Sequence, residues 1–170
     1  IGQFTAQVAR AAGAEVTVCD LNTARLEIAR QLGAHHVFQV QSDTSWKELG
    51  KAGKFDIVIE DSGAPVLNLI IGPNWEQDGV LKFRGKLVMI AGRGEVAYNF
   101  NAAQGCELTV LHAGHFFRDD LEVLAWLVRQ GVVKIGPIIQ DVVKIQDALN
   151  IYEKLRDNPA SLFGTVFDWT

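Results

Sequence analysis

Apolar residues recur along this chain with two different spacings, and the switching between them outlines the fold. Ile1, Phe4, Val8 and Ala11 fall on one face of a helix. Ala12-Gly13-Ala14 breaks that pattern, and Glu15-Val16-Thr17-Val18-Cys19 follows as a short, β-branched strand that ends at Asp20. Asn22 is placed to cap a second helix, with Ala24, Ile28 and Leu32 sharing a face and Gly33 ending it. Residues 35–40 read as the next strand, a short helix surrounds Trp46 and Leu49, and Phe55-Asp56-Ile57-Val58-Ile59-Glu60 is a strand that stops at Asp61-Ser62-Gly63. Residues 64–85 exceed what one crossover helix needs, and Gly72-Pro73 should divide them. Further strands are predicted over 87–91, ending at Gly92, and over 108–112, with a Gly- and Asn-rich segment between them. Arg118 to Gln130 reads as a helix: Asp119, Asp120 and Glu122 favour its start, Leu121, Leu124, Ala125 and Val128 form an apolar face, and Gly131 stops it. Near the end, Ile145, Ala148, Leu149, Tyr152 and Leu155 share a helix face, and 163–169 is a strand.

Strands that are apolar without alternation imply burial on both faces, as in a parallel sheet with helices on each side. The expected fold is α/β, a doubly wound parallel sheet. Its opening resolves into helix, loop, strand and acid, the second half of a βαβ unit. A glycine at a helix start lets a backbone approach a pyrophosphate, where free N–H groups and a partial positive charge await it. An acid at the end of the next strand, about 20 residues on, accepts hydrogen bonds from ribose hydroxyls. Gly2 and Asp20 fit those roles, with a plain helix-start glycine and a turn-forming aspartate as the ordinary alternatives. The strand and first two glycines of G-x-G-x-x-G are expected to lie ahead of Ile1, so the sheet should lack its first, central strand.

Composition narrows the function. A chain of 170 residues, 48% hydrophobic and 21% charged, has the make-up of an ordinary globular α/β domain. A net charge of −4 and the absence of a Lys/Arg run argue against nucleic acid or an anionic membrane as partner, and no apolar run is long enough to span a bilayer. Cys19 and Cys106, with no CxxC, are expected as reduced thiols in buried strands, which suits the cytoplasm. His112-x-x-His115 has metal-like spacing but no third ligand near it in sequence. Of His35-His36, one is expected to pack and one to face solvent. Trp46, Trp75, Trp126 and Trp169 are expected in core or interface packing.

The strand ends carry a resemblance. Asp20-Leu21-Asn22-Thr23-Ala24-Arg25, Val58-Ile59-Glu60-Asp61-Ser62-Gly63, Gly85-Lys86-Leu87-Val88-Met89-Ile90-Ala91-Gly92 and Gly164-Thr165-Val166-Phe167 together resemble the medium-chain dehydrogenase/reductase family, most closely its zinc-dependent alcohol and polyol (sorbitol-type) dehydrogenases. The resemblance runs through essentially the whole chain in order. It implies an NAD cofactor bound by Gly2, as the last fingerprint glycine; by Asp20, which selects NAD over NADP; and by Arg25, flanking the adenosine. It further implies Ser62, Gly63, Ala91 and Gly92 beside the nicotinamide ribose and ring, and Ala113 and Gly114 at the carboxamide. Arg25 has a solvated helix arginine as its alternative.

The family's catalytic zinc ligands, structural-zinc cysteines and proton relay belong to a catalytic domain that this chain lacks, so no catalytic or metal-ligating residue is assigned to it. The expected division is a Rossmann-like NAD-binding domain over 1–136 and, over 137–170, a C-terminal tail that would pack on the absent catalytic domain. Two functions compete: the coenzyme-binding portion of a zinc-type dehydrogenase acting on a secondary alcohol, a polyol or sugar derivative, or a non-catalytic nucleotide-binding or interaction module. In either case the chain alone is expected to be inactive and marginally stable. The resemblance also implies a homodimer formed through the edge strand at 108–112, with contacts near 98–115.

Overall fold

The computed structural model describes residues 1–77 and 79–170. Helices and strands alternate: α1 (Gly2–Ala11), β1 (Thr17–Asp20), α2 (Thr23–Gln31), β2 (His36–Gln39), α3 (Asp43–Ala52), β3 (Phe55–Glu60), α4 (Leu67–Ile71), β4 (Leu81–Met89), α5 (Phe100–Gly105), β5 (Thr109–His112), α6 (Arg118–Arg129), β6 (Asp141–Lys144), α7 (Ala148–Asp157) and β7 (Thr165–Asp168). All strand pairs are parallel, in a Rossmann-like α/β arrangement. Local chemistry sets the helix ends as expected. Asn22 Oδ1 accepts hydrogen bonds from the Ala24 and Arg25 N–H groups at the start of α2. Gly33 (φ +94°) and Gly131 (φ +70°) follow the last turns of α2 and α6 in the left-handed conformation that glycine adopts without a Cβ clash.

The strands form three sheets, β1-β2, β3-β4-β5 and β6-β7, rather than one. Among the described residues no strand pairs with the free edge of β1 or the free edge of β3, the two edges that a missing first strand would join. β5 is the other edge of the central sheet. The core gathers on one face of β4, where Leu87 and Met89 pack with Leu49 of α3, Leu67, Ile70 and Ile71 of α4, Val80, and Ala102 of α5.

Several expectations are corrected, for reasons that reach beyond local sequence. The strands are not buried on both faces: Ile57 and Ile59 of β3 are exposed, because among the described residues no neighbouring strand or helix covers that side. In α1 the buried residues are Gln3 and Gln7, while Ile1 and Val8 are exposed. Gln3 Nε2 donates to the Arg25 carbonyl at 2.8 Å, and Gln7 both donates to the Lys134 carbonyl and accepts from its N–H, so polar pairing orients this helix. In α2 the buried pair is Leu26 and Ala29, and Ala24 is exposed. No residue of α6 or α7 is buried, so their apolar faces are open.

The Gly- and Asn-rich segment after Gly92 contains α5, capped by Asn99, whose Oδ1 accepts from Ala102 N. Cys106 caps the end of that helix and is not in a strand. β4 begins at Leu81 through a register shift between Phe55 and Ile57, with Arg84 at φ +59°. Both His35 and His36 are exposed; His35 Nδ1 accepts from Val16 N at 3.0 Å and His36 pairs with Glu15. Trp46 packs on the core, but Trp75, Trp126 and Trp169 are exposed.

Candidate functional site

In a parallel α/β sheet the carboxyl ends of the strands open on helix N-termini, which is where ligands bind. Gly2, Asp20, Ser62, Gly63, Ala91, Gly92, Ala113 and Gly114 all follow or face such ends. Although β1 and β3 are not paired, the start of α1 lies against the turn that follows β3. An ideal Cβ on Gly2 would stand 3.0 Å from Asp61 Oδ2. Burial raises the Asp61 carboxyl above its ordinary value, and the Asp20 charge adds to it. An anion arriving at the start of α1 would therefore meet the Asp61 carboxylate as well as the helix N–H groups.

Asp20 is half-buried at the end of β1, and its Oδ1 accepts from Asn22 N at 2.8 Å. The same Asn22 caps α2, so the acid is fixed by the turn that starts the next helix. Arg25 lies one turn farther along. Its Nη2 donates to the Leu162 carbonyl at 3.5 Å and its guanidinium lies over the Phe163 ring, 5.4 Å from the centroid. It thus joins α2 to the tail, and its cationic head points to that tail.

The turns after β3 and β4 meet directly. Gly63 has φ +72°, and an ideal Cβ on it would stand 3.6 Å from Ala91 Cβ and 4.0 Å from the Gly92 carbonyl oxygen. Ala113 N donates to the Met89 carbonyl at 3.0 Å, which sets the turn after β5 beside them. Around Gly92 and Gly114 the space is open. Two shallow clefts, of about 210 and 370 Å³, lie away from these turns, one at Asp56, Lys82 and Arg84 and the other at Gln7, Arg10 and Lys134.

Comparison with known proteins accords with this geometry. The profile of the family described as zinc-binding dehydrogenase matches residues 1–128. The chain belongs to the zinc-binding dehydrogenase family. It is 28% identical over 174 residues to L-threonine 3-dehydrogenase of Rhizobium etli, covering 99% of this chain and 48% of that protein. It is likewise 28% identical over 173 residues to 2-dehydro-3-deoxy-L-galactonate 5-dehydrogenase of Pseudoalteromonas atlantica, covering 98% of this chain and 48% of that protein. A thermostable alcohol dehydrogenase from Pyrobaculum aerophilum has the same fold, with TM-score 0.78 at 24% identity over 99% of this chain and 46% of that one. The chain therefore spans about half the length of the curated relatives it matches. Its likeness to medium-chain, zinc-type dehydrogenases is to their coenzyme-binding part and tail.

Within this family chain, the described residues contain no group of three or more His, Cys, Asp or Glu placed to hold a metal ion, and His112 and His115 are both exposed. Those residues by themselves do not form a zinc site. The turns at Gly92 and Gly114 leave open space for a ligand, whereas Gly2 and Gly63 face Asp61 and Ala91, and Asp20 is half-buried at the end of β1. Sequence reasoning passed over Glu60 and Arg93, which form a nearly buried ion pair at the junction of the turns. A charged residue closing the apolar run Phe55 to Ile59, and an arginine directly after Ala91-Gly92, were the signals available.

Proposed function

We propose that this chain is the coenzyme-binding portion of an NAD-dependent, zinc-type dehydrogenase that transfers a hydride between a secondary alcohol, a polyol or sugar derivative, and nicotinamide. The observation that carries this reading is the gathering of Gly2, Asp20, the Ser62-Gly63 and Ala91-Gly92 turns, and Ala113-Gly114 at the carboxyl ends of the strands. Family membership and relatives that are dehydrogenases of L-threonine and of a deoxy-galactonate derivative support it.

In this reading Asp20 accepts from the adenosine ribose hydroxyls, and the start of α1 receives the pyrophosphate. Ser62-Gly63 and Ala91-Gly92 flank the nicotinamide ribose and ring, and Ala113-Gly114 present backbone to the carboxamide. Arg25 serves the adenosine only if its guanidinium turns from Leu162 and Phe163. A nicotinamide held by those turns would supply the hydride acceptor for the carbinol carbon. This chain's part is to aim that ring and to keep its face in register with the substrate.

The same reading places the protein in the cytoplasm and pairs it with a second copy through β5. The free edge of β5, with Leu111, Phe100, Phe116 and Phe117 exposed nearby, supports that dimer. The test, on the full polypeptide that carries this chain, is a fluorescence titration with NADH and NADPH, followed by a panel of polyols and sugar alcohols assayed by the absorbance of NADH. Tighter binding of NADH and alcohol-dependent reduction of NAD are expected. Binding without hydride transfer from any alcohol would replace this reading with a non-catalytic nucleotide-binding module.

A further inference from the structure

Glu60 occupies the last position of β3. It is 4% exposed, and each part of it is engaged. Its backbone carbonyl accepts from Ile90 N at 2.9 Å and Ala91 N at 3.5 Å, which ties it to the end of β4. Its Oε1 accepts from Ser62 N at 2.9 Å, from Gly63 N at 3.0 Å and from Ser62 Oγ, which curls the turn after β3 back over the strand end. Its Oε2 accepts from Arg93 Nη2, and Arg93 Nε reaches the Ala91 carbonyl at 3.4 Å. The Arg93 side chain is itself only 13% exposed.

A nearly buried carboxylate is retained against its desolvation only when its oxygens are fully bonded and a cation stands against it. Here those bonds all run to one place. They connect the Ser62-Gly63 turn with the Ala91-Gly92-Arg93 turn, and a Cβ placed on Gly63 would already touch Ala91. A stability role alone would be met as well by an apolar pair in the core. An ion pair set between two turns instead fixes their separation and orientation, because charge-assisted bonds are short and directional.

We infer that Glu60 and Arg93 are positioning residues that lock the two turns into a single wall for the nicotinamide half of the coenzyme. This rests on the proposed coenzyme role of those turns. Neither side chain touches the cofactor; they act through Gly63 and Ala91. Asp20, at the end of β1, is fixed by a separate network through Asn22.

The test compares ligands that differ only in the nicotinamide, with the full polypeptide that carries this chain. Dissociation constants for NADH and for ADP-ribose are measured by calorimetry in the unaltered protein, Glu60→Gln, Arg93→Met and the double variant Glu60→Gln/Arg93→Gln. The Glu60→Gln change keeps an acceptor for the Ser62 and Gly63 N–H groups but removes the charge that holds Arg93. In Glu60→Gln and Arg93→Met, NADH is expected to weaken by on the order of tenfold while ADP-ribose stays within about twofold. The double variant, which lacks the charge-assisted bond but leaves no buried charge unpaired, should show the same selective loss of NADH, with a smaller fluorescence enhancement of bound NADH. Equal weakening of both ligands, or no change in either, overturns the positioning role even where a single variant is poorly folded, because the double variant supplies the same comparison. Failure of the unaltered protein to bind NADH at all overturns the proposed function, and this inference with it.

Discussion

In the proposed function coenzyme choice turns on one carboxylate, Asp20, and the geometry around it sets the size of the expected effect. Asp20 cannot swing away from a ligand at the end of β1: its Oδ1 accepts from Asn22 N, Asn22 is held by the first turn of α2, and the intervening Leu21 carbonyl accepts from Gln39 Nε2 at 2.9 Å. A 2′-phosphate placed where the ribose diol would sit lies about 5 Å from that carboxylate, since it replaces a hydrogen-bonded hydroxyl with a bulkier anion. Two unit charges at that separation repel by ~1 kcal/mol in water-like screening and by ~3 kcal/mol at an effective dielectric near 20. Half-burial puts Asp20 between these limits, and the phosphate also forfeits the hydrogen bonds a diol would donate. NADH should therefore bind more tightly than NADPH by roughly 5- to 150-fold. Asp20→Asn is the clean perturbation, since it keeps an acceptor for Asn22 N and removes only the charge. Titrations followed by protein-to-NADH energy transfer, at low and at moderate salt, give the ratio of dissociation constants. That ratio should fall by about tenfold in Asp20→Asn, chiefly because NADPH binds better. Equal affinities in the unaltered protein, or a ratio that Asp20→Asn leaves unchanged, would refute the assignment of Asp20.

Three further outcomes follow from the packing and the titrating groups. Leu87→Ala removes a side chain with 0% exposure from the centre of the core and should lower stability by ~2–5 kcal/mol, seen as a lower urea midpoint by circular dichroism with the slope unchanged. Burial, with the Asp20 charge behind it, pushes the Cys19 thiol up to about 12, so at pH 8 iodoacetamide should label it on the order of a thousand times more slowly than a free thiol, with full labelling in urea as the control. Asp61 is held above its ordinary 3.8, so the fold favours its neutral form. Its contribution is present below 3.8 and is lost as the pH rises through the raised folded value, so Asp61→Asn should have the higher urea midpoint at pH 7, and the two midpoints should converge toward pH 3.

What the sequence determined by itself is whatever a few adjacent residues decide. β3 was legible to the residue, because Phe55 to Glu60 is an apolar, β-branched run bounded by Lys54 and by Asp61-Ser62-Gly63. Asn22, Gly33 and Gly131 announced the ends of α2 and α6, since capping and a positive φ act over one helical turn. The parallel α/β class, with Gly2 and Asp20 at its first helix start and strand end, followed from that order of elements, whereas Ser62, Gly63, Ala91, Gly92, Ala113 and Gly114 were singled out by the family resemblance.

Burial, in contrast, was decided by what crosses from tens of residues away. The spacing of Phe4 and Val8 on α1, and of Leu121 and Leu124 on α6, is correct for an apolar face, yet neither face is buried, because among the described residues no strand joins β1 to β3 and nothing covers α6. Gln3 and Gln7 look like surface residues until Arg25 and Lys134 arrive to bond them. Arg25 reads as a cofactor ligand by its place after Asp20-Leu21-Asn22, but the tail brings Leu162 and Phe163 to its guanidinium from the far end of the sequence. Glu60 and Arg93 are 33 positions apart, and only the pairing of β3 with β4 brings their charges together. Helical and strand periods are properties of the local backbone, whereas the burial of a side chain depends on which surfaces the tertiary fold presses against it.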